Sequence, residues 1–304
     1  MKYTSKRNKS SDDHGRKVFI FTCIFAIAFA IAFFAIQPPS YGDLICSENT
    51  GKGCGCPANP NEIRLRNVLI VDTTDPLRKG KYEDIERLVT SVGTTPLPLA
   101  EWLSNGKKTD MTSVFVLSDT PVADMQPIAK FCAPPPLLAQ YVGFKGREIQ
   151  ELIKSTTERA QNAITKVKDS STANQSAIVE SLSTIVKSSS HWTPGSTLIL
   201  ASDLIENSKE CGWFEKAGTI PPLKSVPAVC QSMIRQFQEG LRPNETYKGA
   251  STVALCTLPG KDTKPGLHAF WSEMVQGAMG SDALYTCDPT VIHSRRAFLN
   301  ERTK

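Results

Sequence analysis

Arg66-Asn-Val-Leu-Ile-Val-Asp72-Thr-Thr74-Asp75-Pro76-Leu77 is the stretch that decides the fold of this 304-residue chain. Four apolar residues, Val68 to Val71, end abruptly in Asp72, Thr74 and Asp75. A parallel strand buried on both faces reads as an uninterrupted apolar run. Its carboxyl end is where open α/β sheets place ligand sites. Thr197-Leu-Ile-Leu-Ala-Ser202-Asp203 repeats the arrangement, an apolar strand followed by a hydroxyl and a carboxylate. Two strands ending in oxygen-bearing side chains point to a site for a hard cation or a polar ligand at one edge of a sheet.

Periodicity predicts the elements around these two strands. A helix is expected over 80–92, with Ile85, Leu88, Val89 and Val92 in one stripe, and a second strand over 112–118. A long polar helix is expected over 146–168, buried through Ile149, Ile153, Ala160, Ile164 and Val167. Another follows at 174–188 with Ile178, Leu182, Ile185 and Val186. Beyond the strand at 197–202 come a Gly/Pro-rich loop at 212–227, a helix near 228–239 and a strand at 251–257. A helix at 266–278, holding Phe270, Trp271 and Met274, and a short strand at 283–287 close the pattern. Strands alternating with helices predict an α/β fold: a doubly wound, mainly parallel sheet with helices on both faces. One domain is placed at 64–290, followed by a charged tail at 291–304. With the first two strands adjacent and the strand at 197–202 on the other side of the first, Asp72, Asp119 and Asp203 converge on one crevice. Asp119 by itself reads more readily as a turn or helix cap.

The amino terminus carries a topology signal. Residues 18–36 form an uncharged, apolar run interrupted only by Thr22 and Cys23. About 20 such residues span a bilayer core. The first 17 residues hold six basic and two acidic side chains, a net charge of +4. The whole chain is +5, so the remainder carries only +1. This asymmetry predicts a cytoplasmic basic head at 1–17, a retained transmembrane signal anchor at 18–36 and an extracytoplasmic remainder. A cleaved signal peptide fits less well, because Ile36-Gln-Pro-Pro-Ser-Tyr offers no small-x-small cleavage site. A net charge of +1 outside the membrane supplies no basic face for nucleic acid. The short lysine-rich head, single anchor and compact domain favour a bacterial inner-membrane protein facing the periplasm.

Cysteine usage agrees. Beside Cys23 in the apolar run, the chain has Cys46, Cys54, Cys56, Cys132, Cys211, Cys230, Cys256 and Cys287. An even number on an oxidising side reads as disulfides, with 105 connectivities open for eight cysteines. Cys211 and Cys230 bracket one loop and are plausible partners. Cys256 and Cys287, each in an expected strand, are plausible partners too. Cys54-Gly-Cys56 lacks the second Cys/His pair of a zinc site. Residues 37–63, rich in Pro, Gly, Asn and Cys, read as a cysteine-containing stalk or loop.

The chain resembles a von Willebrand factor A domain over about residues 64–290. That family has a strand ending in Asp-x-Ser-x-Ser, a later Thr or Ser opening a helix, and a second strand ending in Asp. Together these build a metal-ion-dependent adhesion site. Asp72 and Thr74 stand at the first two ligand positions, Pro76 at the third, and Asp203, after Ser202, at the later strand end. Ser176, in Asn174-Gln-Ser-Ala-Ile-Val, is read as the helix-opening hydroxyl. The resemblance implies a degenerate adhesion site: metal held by Asp72, Thr74 and Asp203, with Asp75, Ser176, Ser202 and Asp119 around it. It also implies Mg²⁺ as the ion and a protein partner whose carboxylate completes the coordination.

Enzyme signals are weaker. Asp72-Thr-Thr-Asp is close to the nucleophile loop of haloacid-dehalogenase-like phosphatases, but Thr74 stands where the second carboxylate belongs. The chain contains no Gly-x-Ser-x-Gly elbow, and neither a Gly-x-Gly-x-x-Gly nor a Walker A loop follows the first strand. The expected function is therefore a membrane-anchored, extracytoplasmic protein-binding module, and not an enzyme. An extracytoplasmic, metal-dependent, phosphatase-like hydrolase using Asp72, and a purely structural subunit of a secretion, conjugation or defence assembly, are the alternatives.

Overall fold

The computed structural model describes Cys56 and most of residues 59–302. Residues 1–55, 57–58, 74–78, 95–102, 118–124, 134–153, 168–174, 213–219, 258–265, 278–281, 303–304 and a few shorter stretches lie outside the described set. The expected anchor at 18–36 and most of the expected stalk therefore lie outside it. No helix among the described residues is long and apolar enough to cross a membrane.

The architecture is mixed α/β around a six-stranded, mostly parallel sheet. In chain order the elements are β1 (Ile63–Asp72), α1 (Lys79–Thr94), β2 (Thr109–Leu117), β3 (Ala129–Cys132), α2 (helical over 160–167) and α3 (Ile178–Lys187). There follow β4 (Thr197–Ser202), α4 (Ala228–Leu241), β5 (Thr252–Thr257), α5 (Leu267–Gln276), β6 (Asp282–Leu284) and α6 (Pro289–Arg302). The strand order is β3-β2-β1-β4-β5-β6. β1 pairs in parallel with β2 on one side and with β4 on the other, as the apolar runs predict. β3 pairs antiparallel with β2 at the edge, an addition that the sequence pattern did not announce.

Alternation along the strands feeds two apolar layers. Val68 and Ile70 of β1, Phe115 of β2, Leu198 and Leu200 of β4 and Val253 of β5 enter one core with α3, α4 and α5. Leu69, Val71, Val114, Ile199 and Ala254 enter the other with α1, α2 and α6. Strand side chains point alternately to opposite faces, so a run apolar at every position needs cover on both. Trp271 and Phe237 fill the first layer, both at 0% exposure. Ile292 of α6 is buried in the second, so the packed unit continues past residue 290.

Three disulfides brace this unit: Cys56–Cys132, Cys211–Cys230 and Cys256–Cys287. The last two are the pairs expected from the loop that Cys211 and Cys230 bracket and from the expected strands of Cys256 and Cys287, while Cys46 and Cys54 lie outside the described residues. β6 ends at Leu284, so Cys287 sits in the connection to α6 and not in a strand. Three disulfides among the described residues fit an oxidising, extracytoplasmic compartment.

Candidate functional site at the carboxyl edge of the sheet

β1 and β4 are neighbours, and their register pairs Val71 with Ala201. Asp72 and Ser202, one residue further along each strand, therefore emerge side by side at the carboxyl edge. The Ser202 hydroxyl donates to Asp72 Oδ2 at 2.7 Å. The Ser176 hydroxyl, from the segment entering α3, donates to the same oxygen at 2.6 Å. Asp72, Ser176 and Ser202 are all buried, at 4%, 2% and 0% exposure. Residues 104 and 130 positions apart in sequence thus meet on one carboxylate oxygen. Thr73 turns the other way and donates its hydroxyl to the Leu117 carbonyl, fastening the end of β1 to β2.

The segment leaving β4 is tightly shaped. Ser202 Oγ accepts from the Leu204 amide at 2.9 Å, and Asp203 Oδ1 accepts from the Ile205 amide at 2.9 Å. Leu204 has φ +64°, a left-handed conformation that costs energy for a side chain with a Cβ. Its carbonyl accepts from the indole of Trp271 at 3.0 Å, and its side chain is fully buried. Packing holds the unfavourable turn in place.

Glu206 follows, a residue outside the set expected from the sequence. It is fully buried. Its Oε2 accepts from the Val179 amide at 2.7 Å, at the first turn of α3. Burial raises its pKa from 4.5 to about 7, against the Ser208 hydroxyl and the Val179 and Ile178 amides, which favour the anion; nearby Asp72 adds to the rise. The Ser208 hydroxyl is near enough to favour charge, yet among the described residues no donor meets Oε1 in hydrogen-bonding geometry. The readable signal was a second carboxylate three residues after Asp203, directly behind Leu204 and Ile205 and just past a buried strand.

Of the expected site residues, the fold brings Asp72, Ser176 and Ser202 together, with Asp203 next to them in a turn. Thr74, Asp75 and Asp119 lie outside the described residues. Among the described residues no three His, Cys, Asp or Glu side chains gather as a metal site. The donors that do converge are a carboxylate and two hydroxyls, the hard oxygen chemistry that Mg²⁺ takes, so the residues present fit such an ion.

No family model matches the chain, and no curated protein matches it. Among solved structures it is similar to a mutant of the PilB minor pilin from Streptococcus sanguinis, with a TM-score of 0.35 and 10% identity. That match covers 80% of this chain and 62% of the pilin, so the chain spans less than two thirds of the pilin's length.

Proposed function

We propose that this chain is a membrane-anchored, extracytoplasmic protein-binding module of von Willebrand A type, part of an envelope or membrane-associated complex. Residues 18–36 would be the anchor, with residues 1–17 in the cytoplasm and the domain in the periplasm. The recognition site is the carboxyl edge of the sheet around Asp72, Ser176, Ser202 and Asp203. The observation that carries this reading is the convergence of the Ser176 and Ser202 hydroxyls on Asp72 Oδ2 between adjacent parallel strands. Ligand sites in open α/β sheets lie at such strand ends. Mg²⁺ would be held by Asp72 and Ser176 and, by resemblance, by Thr74 and Asp203. When bound it supplies a positive charge that attracts a partner's carboxylate.

The test is capture of a partner from membranes by the full-length oxidised chain, in Mg²⁺ and in EDTA, with Asp72→Ala alongside. Mg²⁺-dependent capture lost in the variant supports the reading. Capture indifferent to both sinks it.

A specific observation favours a second reading, a structural subunit of an assembly with no metal. Asp72 is buried, and two internal hydroxyls already engage its Oδ2, as in a clamp joining β1, β4 and the entry to α3. Complex formation unchanged by EDTA, but lost when Asp72→Ala loosens the fold, supports this reading over the first.

A further inference from the structure

Helix α3 begins without a cap of its own. Ala177 occupies the N-cap and makes no side-chain hydrogen bond. The first amides of a helix have no intrahelical partner, and an uncapped, buried helix start is costly. Here the partner comes from across the site. Glu206, four residues beyond Ser202, reaches α3 and accepts from the Val179 amide, with the Ile178 amide also favouring its charge. A carboxylate placed at a helix N-terminus is favoured by the helix dipole. The next residue doubles the link. Ser176 and Asn207 exchange two backbone hydrogen bonds, Ser176 N–H to the Asn207 carbonyl at 3.0 Å and Asn207 N–H to the Ser176 carbonyl at 2.9 Å.

Ser176 therefore sits in a short segment held on either side by the chain leaving β4. Its hydroxyl has 2.6 Å to span to Asp72, a distance that fraying of α3 would not preserve. The Leu204 turn, fixed by Trp271, anchors the same link at its other end. Burying a carboxylate at 0% exposure is costly, and a simple cap needs only a serine or aspartate at position 177. A local cap would leave the two segments untied.

We infer that Glu206 is the positioning residue of the Asp72 cluster, tying the entry of α3 to the exit of β4 and so setting the Ser176 hydroxyl on Asp72. The consequence for ion binding rests on the reading of this edge as the recognition site. The tie itself is judged independently of that reading.

The test uses the full-length oxidised chain with two measurements: amide hydrogen exchange, and titration with Mn²⁺ alone. Glu206→Ala should speed exchange at Ser176, Val179 and Asn207 by about tenfold or more relative to the sheet. It should also weaken Mn²⁺ binding by about 10–100-fold, the usual effect of losing a residue that orients a ligand. Glu206→Gln, which keeps the length and one accepting oxygen, should restore both to within about threefold of wild type. In the Glu206→Ala background, Ala177→Ser returns a local cap. It should recover thermal stability, but neither the protection at Ser176 and Asn207 nor the Mn²⁺ affinity. Unchanged exchange in Glu206→Ala overturns the inference, as does full recovery by Ala177→Ser, which would reduce Glu206 to a helix cap. A wild-type chain that binds no Mn²⁺ overturns the metal-dependent part of the proposed function, and the exchange data still decide the tie.

Discussion

At the scale of single residues, the site is a set of buried polar groups whose costs are offset only by one another. Asp72→Ala would leave the Ser176 and Ser202 hydroxyls buried without their acceptor. The expected loss is about 2–4 kcal/mol of stability, measured by urea unfolding, against about 1 kcal/mol for Ser176→Ala. Glu206 makes stability depend on pH. Its folded pKa of about 7 lies above the ordinary 4.5, so the folded state favours the protonated acid. That contribution is fully present below pH 4.5 and is lost as pH rises through about 7. Glu206→Gln should flatten this slope, an effect on the order of 2–3 kcal/mol read from urea midpoints across pH 4.5 to 8. A wild-type curve that runs parallel to that of Glu206→Gln over this window would contradict the assignment, since other groups, such as the half-buried His191 whose pKa is lowered by burial, tilt both curves alike. Leu204 inverts a usual order. Leu204→Ala keeps the left-handed penalty and loses buried area, whereas Leu204→Gly loses the area but relieves the penalty. Glycine should therefore melt higher than alanine by the equivalent of about 1 kcal/mol. Asp72, Ser176 and Ser202 were named together from the sequence, whereas the roles of Leu204 and Glu206 were not. Glu206 and Leu204 look ordinary in sequence, and their roles come from burial and backbone geometry.

At the scale of elements, the strands were the most legible part. The reading of residues 197–202 coincides with β4, and that of 66–72 lies within β1. A doubly buried strand is an apolar run with sharp polar ends, so pattern and boundary agree. β3 was not legible. Ala129-Lys-Phe-Cys132 is short, and it exists as a strand because β2 offers an unpaired edge. The start of α3 was legible only in part, because its cap lies 27 residues away in Glu206. The link between Cys211 and Cys230 ties the segment after β4 to α4 and closes a separation of 19 residues. Chain-entropy arguments assign a loop of that size about 3 kcal/mol. Cys211→Ser with Cys230→Ser should lower stability by about that amount. It should also raise amide exchange over 203–211 more than in β1, measured on the same sample. Uniform exchange across both regions would show that the bridge does not brace the site segment.

At the scale of the whole molecule, the α/β class followed from local physics. Continuous apolar strands need cover on both faces, and helices of matching periodicity supply it, so a mainly parallel sheet was determined by the order of residues. Two cysteine pairs, Cys211–Cys230 and Cys256–Cys287, were plausible from the expected elements, but the sequence left their connectivity open. The charge asymmetry of residues 1–17 and the apolar run at 18–36 carry the expectation of an anchored, extracytoplasmic domain, and three disulfides fit that compartment. The sequence grouped Asp72, Ser176 and Ser202 at one sheet edge, but the tertiary structure alone decided that both hydroxyls meet one oxygen of Asp72 and that Glu206 joins them. Asp72, Ser176, Ser202 and Glu206 lie on segments separated by up to 134 residues, and no periodicity records distances between them. Strand order placed β4 beside β1, register set Ser202 against Asp72, and packing under Trp271 fixed the turn that carries Glu206 back to α3. Hydrophobic pattern is a property of neighbours in the chain, whereas a hydrogen-bond network is a property of neighbours in space. That difference separates what the sequence determined by itself from what required the folded molecule.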